Sequence, residues 1–456
     1  MSTIASISTA PGIGGIGIIR MSGKKSFEIL EKIFKPKKQE KIEDIKGYTI
    51  KYGHIVEEDK IIDEVLVSYF KAPKSYTAED MCEINSHGGN LIVKKILELC
   101  LKNGAELAEP GEFTKRAFLN GRIDLAQAES VVDVINAKSE KEVKASIKQL
   151  EGELSKEIQK IKQEILDVLV NIEVSIDYPE YDVEEVQNKE ILEMLESVEN
   201  KLKKLEKTFD SGKILKNGIK TAIIGKPNAG KSSLLNAILK EDRAIVTEYE
   251  GTTRDTIEEF VTINGIPLKL IDTAGIREAS DEVEKIGIQK AKEIAKEADL
   301  VIAIFDISKK LSKEDEEILK IVKNKKSIIL LNKIDLKQAI SEKDPKFLES
   351  SKNIIKISAL NKKGIEEIYN KISEMFSLNE INMDNDIVIT NVRHKNLISK
   401  AIKNVLKTKE TMKKDMPIDI IAIYIKDILE DLGSITGEII TEDIINEIFS
   451  KFCLGK

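Results

Sequence analysis

The sequence contains no tryptophan, and aromatic residues make up only 5% of its 456 residues. Rows of aromatic side chains that stack on single-stranded bases are therefore not expected. Cysteine and histidine are also rare and are scattered along the chain: Cys82, Cys100 and Cys453, and His54, His87 and His394. Their spacing fits neither a disulfide framework nor a zinc site.

Positive charge is not in excess, because 72 lysines and arginines stand against 79 aspartates and glutamates, for a formal net charge of −7. No overall positive field attracts nucleic acid, so a local basic patch or a partner would have to supply one. No apolar segment approaches the roughly 20 residues of a membrane span. The N-terminus, Met1-Ser2-Thr3-Ile4, lacks the features of a signal peptide. We expect a cytoplasmic protein with no membrane association.

The chain is long enough for about three domains. Residues 1–118 mix short strands and helices, and residues 119–216 are charge-rich and helical in pattern. Residues 217–378 alternate apolar strands with helices, which is typical of a doubly wound, mostly parallel sheet. The helical composition returns in residues 379–456. We therefore expect the α/β domain to be inserted into a helical domain whose two parts flank it.

Two amphipathic helices are predicted in the first helical part. Periodicity indicates one long helix over residues 126–150 and another over residues 154–176. Charge-laced helices of this kind usually present the solvated faces of a bundle. We therefore assign their exposed charges no part in the chemistry.

The stretch Gly12-Ile13-Gly14-Gly15-Ile16-Gly17 formally matches the dinucleotide-binding fingerprint. In that fold a helix follows the glycines at once. Here the apolar, strand-like pair Ile18-Ile19 follows instead, and then Ser22-Gly23. We interpret the stretch as a glycine-rich hairpin between strands at 4–7 and 16–19.

The stretch Gly225-Lys226-Pro227-Asn228-Ala229-Gly230-Lys231-Ser232-Ser233 has the pattern of a phosphate-binding loop. An apolar strand at 221–224 precedes it, and a helical pattern starting at Leu234 follows it. In such loops, backbone N–H groups and the positive end of the helix surround a polyphosphate. Lys231 would reach the outer phosphates, and Ser232 would hold Mg²⁺. The strand and the helix on either side argue against an accidental match.

Three further motifs, each at the end of a predicted strand, indicate a guanine nucleotide. Asp272-Thr273-Ala274-Gly275 can hold Mg²⁺ through water and face a terminal phosphate. Asn332-Lys333-Ile334-Asp335 ends in a carboxylate that can accept two hydrogen bonds from guanine, whereas adenine offers neither donor. Ser358-Ala359-Leu360 can direct a backbone N–H at the guanine carbonyl. Ligands of α/β sheets bind at these strand ends, so we predict GTP rather than ATP.

The residue after Gly275 is Ile276, where many GTPases have a glutamine that orients water. Hydrolysis must therefore be completed in another way. The stretch Thr247-Glu248-Tyr249-Glu250-Gly251-Thr252-Thr253 contains a glycine and can present backbone carbonyls. Together with Asn228 it could hold K⁺ beside the β- and γ-phosphates and neutralise charge in the transition state. The alternative is that Asn228 only caps the loop, and the sequence leaves both interpretations open.

Motifs in all parts of the chain resemble the MnmE (also called TrmE) family of tRNA-modification GTPases. The N-terminal motifs are Pro11-Gly12-Ile13-Gly14-Gly15-Ile16-Gly17-Ile18-Ile19-Arg20-Met21-Ser22-Gly23, Ser75-Tyr76-Thr77-Ala78-Glu79-Asp80, Gly88-Gly89, Pro110-Gly111-Glu112-Phe113 and Arg116-Ala117-Phe118-Leu119-Asn120-Gly121. Asp272-Thr273-Ala274-Gly275-Ile276-Arg277-Glu278 belongs to the same pattern. The ending Phe452-Cys453-Leu454-Gly455-Lys456 is close to the family's Phe-Cys-Ile-Gly-Lys, and joined to a guanine-binding domain it is highly specific.

The resemblance implies a multidomain α/β plus all-α fold. A doubly wound P-loop GTPase domain would be inserted into a helical domain and preceded by an α+β N-terminal domain. The N-terminal domain would bind 5-formyltetrahydrofolate or a related tetrahydrofolate and would form a homodimer. Its folate contacts would be Arg20, Glu83, Arg122 and Lys456. Residue 122 is arginine where the family often has lysine, so its charge is kept but its geometry differs.

The resemblance also assigns metal ligands and catalytic residues. The Mg²⁺ ligands would be Ser232 and Thr253, and the K⁺ ligands Asn228, Thr247, Tyr249 and Thr252. Tyr249 could act only through its backbone carbonyl. Glu284 matches the family's acidic residue that orients the attacking water indirectly. The predicted catalytic residues are Glu284, Asn228 and Lys231.

By resemblance, the protein would work with the flavoprotein MnmG as a heterotetramer of two chains each, with FAD bound only by that partner. Together they would install a carboxymethylaminomethyl group on the wobble uridine of certain tRNAs, with most of the tRNA contacts on the partner. A different hypothesis is an assembly-factor GTPase that uses nucleotide as a timer for docking on RNA and has no affinity for folate. Cys453 is either catalytic or a packing residue beside the folate.

Overall fold

The computed structural model describes residues 1–38, 46–177, 184–239, 245–249, 258–263, 265–271, 286–376, 386–414 and 417–456. The chain forms two compact units, each assembled from separate chain segments. The first unit contains Met1–Val132, Gln149–Glu173 and Ala422–Lys456, and the second contains Asp133–Lys148 and Val174–Ile421. Each unit therefore depends on segments that are far apart in the sequence.

The first unit contains a seven-stranded sheet with the order β3-β4-β5-β6-β2-β1-β7. Its strands are β1 (Ile4–Ile7), β2 (Ile16–Ser22), β3 (Phe34–Pro36), β4 (Thr49–Glu57), β5 (Lys60–Phe70), β6 (Met81–His87) and β7 (Glu106–Leu107). β1 and β2 are antiparallel, with Ile7 opposite Ile19. The hairpin interpretation of residues 12–17 is confirmed, because a strand rather than a helix follows the glycines.

Helices make up much of the rest of the chain. They are α1 (Ser26–Ile33), α2 (Asn90–Lys102), α3 (Glu112–Leu119), α4 (Leu125–Asn136), α5 (Glu140–Leu150), α6 (Glu153–Asp177), α7 (Glu184–Lys207), α8 (Phe209–Asn217), α9 (Lys231–Leu239), α10 (Ile286–Glu297), α11 (Lys313–Val322), α12 (Pro345–Ser350), α13 (Ile365–Met375), α14 (Val392–Lys413), α15 (Ile418–Thr436) and α16 (Glu442–Ser450). Within the described ranges, no helix is both long and apolar enough to cross a membrane.

Cys82 of β6 and Cys100 of α2 lie in the core beneath the first sheet, together with Ile19, Ile84 and Ile96. Both thiols are free and fully buried. Burial disfavours the thiolate, so it raises the pKa of Cys100 to about 12 and the pKa of Cys82 well above its usual value. Both cysteines are therefore packing residues rather than reactive ones.

The expectation of one helix over residues 126–150 is wrong, because helix α4 ends at Asn136 and a separate helix, α5, begins at Glu140. Ser139 explains the break. Its hydroxyl accepts a hydrogen bond from the Glu142 N–H at 3.2 Å, and the Glu142 carboxylate accepts one from the Lys138 N–H at 2.7 Å. These bonds cap α5 and favour a new helix start over continuation. The second predicted helix is confirmed as α6.

The second unit contains a seven-stranded sheet with the order β14-β13-β12-β8-β11-β10-β9. Its strands are β8 (Ile219–Ile224), β9 (Ile245–Tyr249), β10 (Glu258–Ile263), β11 (Ile266–Leu270), β12 (Leu300–Asp306), β13 (Ser327–Asn332) and β14 (Ile354–Lys356). The five strands from β14 to β11 run parallel, and β10 and β9 add an antiparallel edge. The alternation predicted for residues 217–378 rests on five apolar, strand-like runs at 221–224, 268–271, 300–305, 327–331 and 354–357. All five are confirmed as strands, namely β8, β11, β12, β13 and β14.

Both faces of this sheet are covered by helices. Along β12, Ile302 and Ile304 pack into one core with residues of α9 and α13. The alternate residues, Val301 and Phe305, pack into a second core with residues of α10 and α11. Side chains of a strand point alternately to its two faces, so a strand that is apolar on both sides indicates a sheet buried between two helical layers. The sheet is doubly wound, as predicted.

The turn between α4 and α5 contacts the antiparallel edge of this sheet. The Lys138 carbonyl accepts a hydrogen bond from the Thr262 hydroxyl at 2.8 Å, and the Lys138 ammonium lies 3.5 Å from the centre of the Phe260 ring. Both partners belong to β10. The neighbouring Glu142 carboxyl is buried. Burial raises its pKa to about 7, and the hydrogen bond from Lys138 only partly offsets this.

Replacement of this carboxyl should change how stability depends on pH. Between its ordinary value near 4.5 and about 7, Glu142 keeps a proton in the folded state that it loses in the unfolded state. Its contribution to stability therefore falls as the pH rises through that window. We expect Glu142→Gln to melt at the same temperature as the wild type near pH 4.5 and at a higher temperature at pH 8, as measured by calorimetry. The control is Glu140→Gln in the same turn, where the side chain is exposed. A melting difference independent of pH would contradict this account.

Candidate functional site

The loop between β8 and α9 has the backbone of a phosphate cradle. Asn228 and Gly230 both have positive φ angles, +60° and +108°. A Cβ on Gly230 would lie 2.1 Å from the Asn332 amide nitrogen, and one on Gly225 would lie 2.6 Å from the Ile304 carbonyl oxygen. Neither glycine can therefore carry a side chain here. The absence of side chains at both positions lets the loop backbone pack directly against Asn332 and Ile304.

Lys231 is the first residue of α9, and its ammonium group curls back over the loop. It donates hydrogen bonds to the carbonyl of Gly225 at 2.6 Å and to the carbonyl of Lys226 at 2.9 Å. Burial lowers the pKa of Lys231, because it disfavours the charged form. A cation held by carbonyls in a half-buried loop at a helix N-terminus is suited to a phosphate anion.

Asn332, at the end of β13, joins two loops. Its amide nitrogen donates to the Ala229 carbonyl at 2.9 Å, and its amide oxygen accepts from the Ala359 N–H at 3.0 Å. The side chain is buried, so both of its polar ends are satisfied within the protein. The phosphate loop and the loop after β14 are therefore held in one arrangement by a single amide.

Asp335 and Lys333 lie beside this amide. The Asp335 carboxylate accepts a hydrogen bond from the Ser358 hydroxyl at 2.5 Å. The Lys333 ammonium pairs with Asp306 at 2.6 Å, and Lys333 itself has a φ angle of +70°. Burial opposes ionisation of Asp306, but the bonds from Lys333 and Ser308 outweigh it and keep the pKa of Asp306 below its usual value. Ala359 is buried, whereas Leu360 beyond it is exposed.

Several predicted site residues are described only in part or not at all. Thr247, Glu248 and Tyr249 lie in β9, where Thr247 is opposite Phe260 of β10. Outside the described residues lie Glu250, Gly251, Thr252, Thr253, Asp272, Thr273, Ala274, Gly275 and Glu284. Ser232 and Ser233 occupy the second and third positions of α9. The predicted assignments of all these residues therefore remain predictions.

In the first unit, the residues predicted to bind folate lie close together. Arg20 of β2 pairs with Glu83 of β6 at 2.8 Å, and its guanidinium also donates to the Gly455 carbonyl at 3.3 Å. The guanidinium of Arg122 lies 4.6 Å from the centre of the Tyr76 ring, and that of Arg20 lies 5.2 Å from the same centre. Lys456 follows Gly455 directly.

Three groups of this cluster were not predicted from the sequence. Tyr76 and Phe113 are aromatic neighbours of Arg20, with Phe113 at 5.6 Å. The Gly455 carbonyl accepts from Arg20 and, at 3.1 Å, from the Ser8 hydroxyl. Gly455 has a φ angle of +83°, and a Cβ there would lie 2.3 Å from the Ile7 carbonyl oxygen. Tyr76 and Phe113 both lie inside the N-terminal motifs of the sequence, and that position was the sequence feature that could have identified them.

The parallel sheet, the phosphate cradle and the Asn332 motif at the strand ends are those of a P-loop guanine nucleotide-binding protein. The model of the GTP-binding protein TrmE N-terminus matches residues 3–122, and that of the MnmE helical domain matches residues 125–453. The chain belongs to the MnmE family of tRNA modification GTPases. It is a GTP hydrolase involved in tRNA modification.

Close relatives cover the whole chain. The tRNA modification GTPase MnmE of Acetivibrio thermocellus is 50% identical, that of Clostridioides difficile 52% and that of Thermoanaerobacter pseudethanolicus 51%. Each alignment covers 100% of this chain and 99% of the relative. The solved G domain of the T. maritima FeoB iron transporter is 27% identical over 34% of this chain and 98% of its own, with a TM-score of 0.24. The fold assignment therefore rests on the strand order and the family match.

Asp335 offers a direct test of base selection. We expect Asp335→Asn to weaken GTP binding by at least roughly 10²-fold, because the amide presents a donor to the guanine donors. Affinity for xanthosine triphosphate should rise, since xanthine has a carbonyl where guanine has an amine. Fluorescence titration with labelled nucleotides measures both. Asp344→Asn, which changes the cap of α12 in the same unit, serves as the control. Unchanged GTP affinity would exclude the proposed contact.

Proposed function

We propose that this protein is a K⁺-activated GTPase that works with the flavoprotein MnmG. Together they add a carboxymethylaminomethyl group to C5 of the wobble uridine of certain tRNAs, using GTP hydrolysis and a tetrahydrofolate one-carbon unit. The observation that carries the proposal is the presence in one chain of the Asn332-braced phosphate cradle and of the Arg20–Arg122–Tyr76 cluster. The first suits a nucleotide, and the second suits an anionic aromatic cofactor.

The nucleotide occupies the cradle and the two loops braced by Asn332. The phosphates face the loop from Asn228 to Ser233, where the glycines keep the backbone accessible and Lys231 supplies a cation. Asp335 accepts the hydrogen bonds of guanine, and Ser358 orients that carboxylate. The backbone of Ala359 and Leu360 follows on the same loop. Asp272-Thr273-Ala274-Gly275 completes the phosphate side.

Ser232 and Thr253 would hold Mg²⁺, which would supply positive charge beside the phosphates. Asn228, Thr247, Thr252 and the backbone carbonyl of Tyr249 would hold K⁺, which would supply the positive charge that an arginine provides in other GTPases. Asn228 lies in the cradle at the third position of a β-turn, which the Ala229 N–H closes by donating to the Lys226 carbonyl at 3.2 Å, and its left-handed backbone fits that turn. Glu284 orients the attacking water indirectly, and Asn228 and Lys231 act on the phosphates.

The cation assignment predicts a salt-specific rate. GTP turnover at equal ionic strength should be roughly 10²-fold faster in KCl than in NaCl, since loss of one charge-stabilising group costs about that much. Asn228→Ala should abolish the difference, with phosphate release as the measurement. Asn236→Ala provides the control, because Asn236 is an exposed residue of α9. Equal rates in the two salts for the wild type would refute the cation mechanism.

The first unit holds the one-carbon donor. Arg20, Arg122 and Lys456 supply positive charge for the glutamate carboxylates of a tetrahydrofolate, and Tyr76 supplies aromatic surface for its ring system, while the buried Phe113 ring lies beneath the Arg20 guanidinium. Glu83 holds Arg20 in place through one carboxylate oxygen, which accepts from the Arg20 Nε at 2.9 Å and lies 2.8 Å from a terminal guanidinium nitrogen. The bound cofactor supplies the one-carbon unit, while these residues bind and orient it.

Calorimetry with 5-formyltetrahydrofolate tests this site. The wild type should bind it, and Arg20→Ala should lose at least roughly tenfold in affinity, because it removes both the cation and the support for the Gly455 carbonyl. Lys32→Ala, which removes an exposed ion pair with Glu28 in the same unit, should leave binding unchanged. Absence of heat with the wild type would instead favour a GTPase that acts only as a timer on RNA.

The proposed domains are residues 1–118 for folate binding and dimerisation, 119–216 and 379–456 for the helical domain, and 217–378 for the G domain. The protein acts in the cytoplasm as a homodimer and joins two MnmG chains, which carry FAD. A formal net charge of −7 supports an arrangement in which the partner makes most of the tRNA contacts. Cys453 is exposed, and the proposal gives it no catalytic part.

A further inference from the structure

Helix α11 begins with a cap formed by Ser312 and Asp315. The Asp315 N–H donates to the Ser312 hydroxyl at 3.4 Å, and the Asp315 carboxylate accepts from the Ser312 N–H at 2.9 Å. Such a reciprocal box stabilises a helix start without any further group. Asp315 is nevertheless only 5% exposed. A carboxylate this deeply buried needs a positive partner beyond the cap.

That partner comes from the phosphate cradle. The Lys226 ammonium lies 2.8 Å from the Asp315 carboxylate and donates to the Ser312 hydroxyl at 3.0 Å. Lys226 is the second residue of the cradle stretch, directly after Gly225. The helix cap and the cradle therefore share one ion pair, although Lys226 and Asp315 are far apart in the sequence.

The backbone of Lys226 serves the cradle itself. Its carbonyl accepts a hydrogen bond from the Lys231 ammonium at 2.9 Å and another from the Ala229 N–H at 3.2 Å. The side chain of Lys226 thus fixes a residue whose carbonyl holds Lys231. A shift of Lys226 would displace one of the two carbonyl groups that orient that cation.

Helix α11 is anchored by its apolar face, and its next two acidic residues add surface ion pairs with neighbouring helices. Glu316 pairs with Lys346 of α12 at 2.7 Å, and Glu317 pairs with Lys292 of α10 at 3.2 Å. The apolar face of α11 packs in the core with Phe305. The cap is therefore fixed independently of the cradle.

We propose that Asp315 is a positioning residue for the GTPase site, acting through Lys226 on the cradle. The inference rests on the cradle being the nucleotide site, as set out under Proposed function. Asp315 and Lys226 do not touch the nucleotide in this scheme. They hold the loop in the shape that accepts phosphates, so nucleotide binds without first ordering it. Removal of either side chain weakens nucleotide binding, whereas the rate at which bound GTP is hydrolysed changes little.

The test is a double-mutant cycle with Lys226→Met and Asp315→Asn, read out by titration with fluorescent GDP and GTP. We expect each single variant to raise Kd by roughly tenfold, or about 1.4 kcal/mol. The double variant should be no weaker than the weaker single variant, because both remove the same contact. Turnover at saturating GTP should stay within about twofold of the wild type. Independent, multiplying losses or unchanged Kd values would overturn the proposal.

Three further variants separate positioning from stability and from the nucleotide assignment. Lys226→Arg keeps the positive charge and should bind nucleotide with wild-type affinity. If Lys226→Met acted only by disturbing the packing of the loop, the arginine variant would be weakened as well. Glu316→Gln removes an exposed ion pair of the same helix that does not contact the cradle, and it should leave Kd unchanged. Lys231→Ala should abolish nucleotide binding, and retained binding in that variant would refute the nucleotide site itself. If Lys231→Ala abolishes binding but Lys226→Met binds nucleotide with normal affinity, only the part assigned to Asp315 is refuted.

Discussion

The arrangement of the nucleotide site depends on one buried amide. Asn332 donates to the loop that precedes α9 and accepts from the loop that follows β14. Because the amide is buried, loss of either bond would strand a polar group away from water, which costs about 1–3 kcal/mol. The two loops come from different parts of the chain, and the amide fixes their position relative to each other. The requirement for glycine at position 230 follows from the same contact, since only hydrogen fits beside the Asn332 nitrogen.

Charge is arranged differently in the two units. In the second unit, cations of the site are held by carbonyls or by carboxylates of neighbouring elements: Lys231 by the loop, Lys333 by Asp306 and Lys226 by Asp315. In the first unit, two guanidinium groups share the ring of Tyr76, and Glu83 balances one of them. The cations of the second unit preorganise a site for phosphates, whereas the guanidinium groups of the first unit concentrate positive charge beside aromatic surface.

Much of this could be predicted from the sequence, because strand ends and loops carry local signals. The hairpin over residues 12–17 and five of the seven strands of the second sheet follow from local sequence patterns. The set of Arg20, Glu83 and Arg122 came only from the family resemblance. The break before α5 was missed, because helical periodicity continues across it and only the capping geometry of Ser139 reveals the new start. The pair of Lys226 and Asp315 was also out of reach. It depends on the packing of α11 against the cradle, which no local pattern encodes.

The conformation of Gly455 bears on how the chain end can evolve. Its carbonyl receives bonds from Arg20 and Ser8, and its left-handed backbone lies against the carbonyl of Ile7. All of these contacts are made by main-chain atoms of the ending. The exposed side chains of Cys453 and Leu454 take no part in these contacts, whereas a side chain at position 455 would collide with the Ile7 carbonyl and displace Lys456. Glycine is thus required at position 455, because a β-carbon there would clash with the main chain of Ile7.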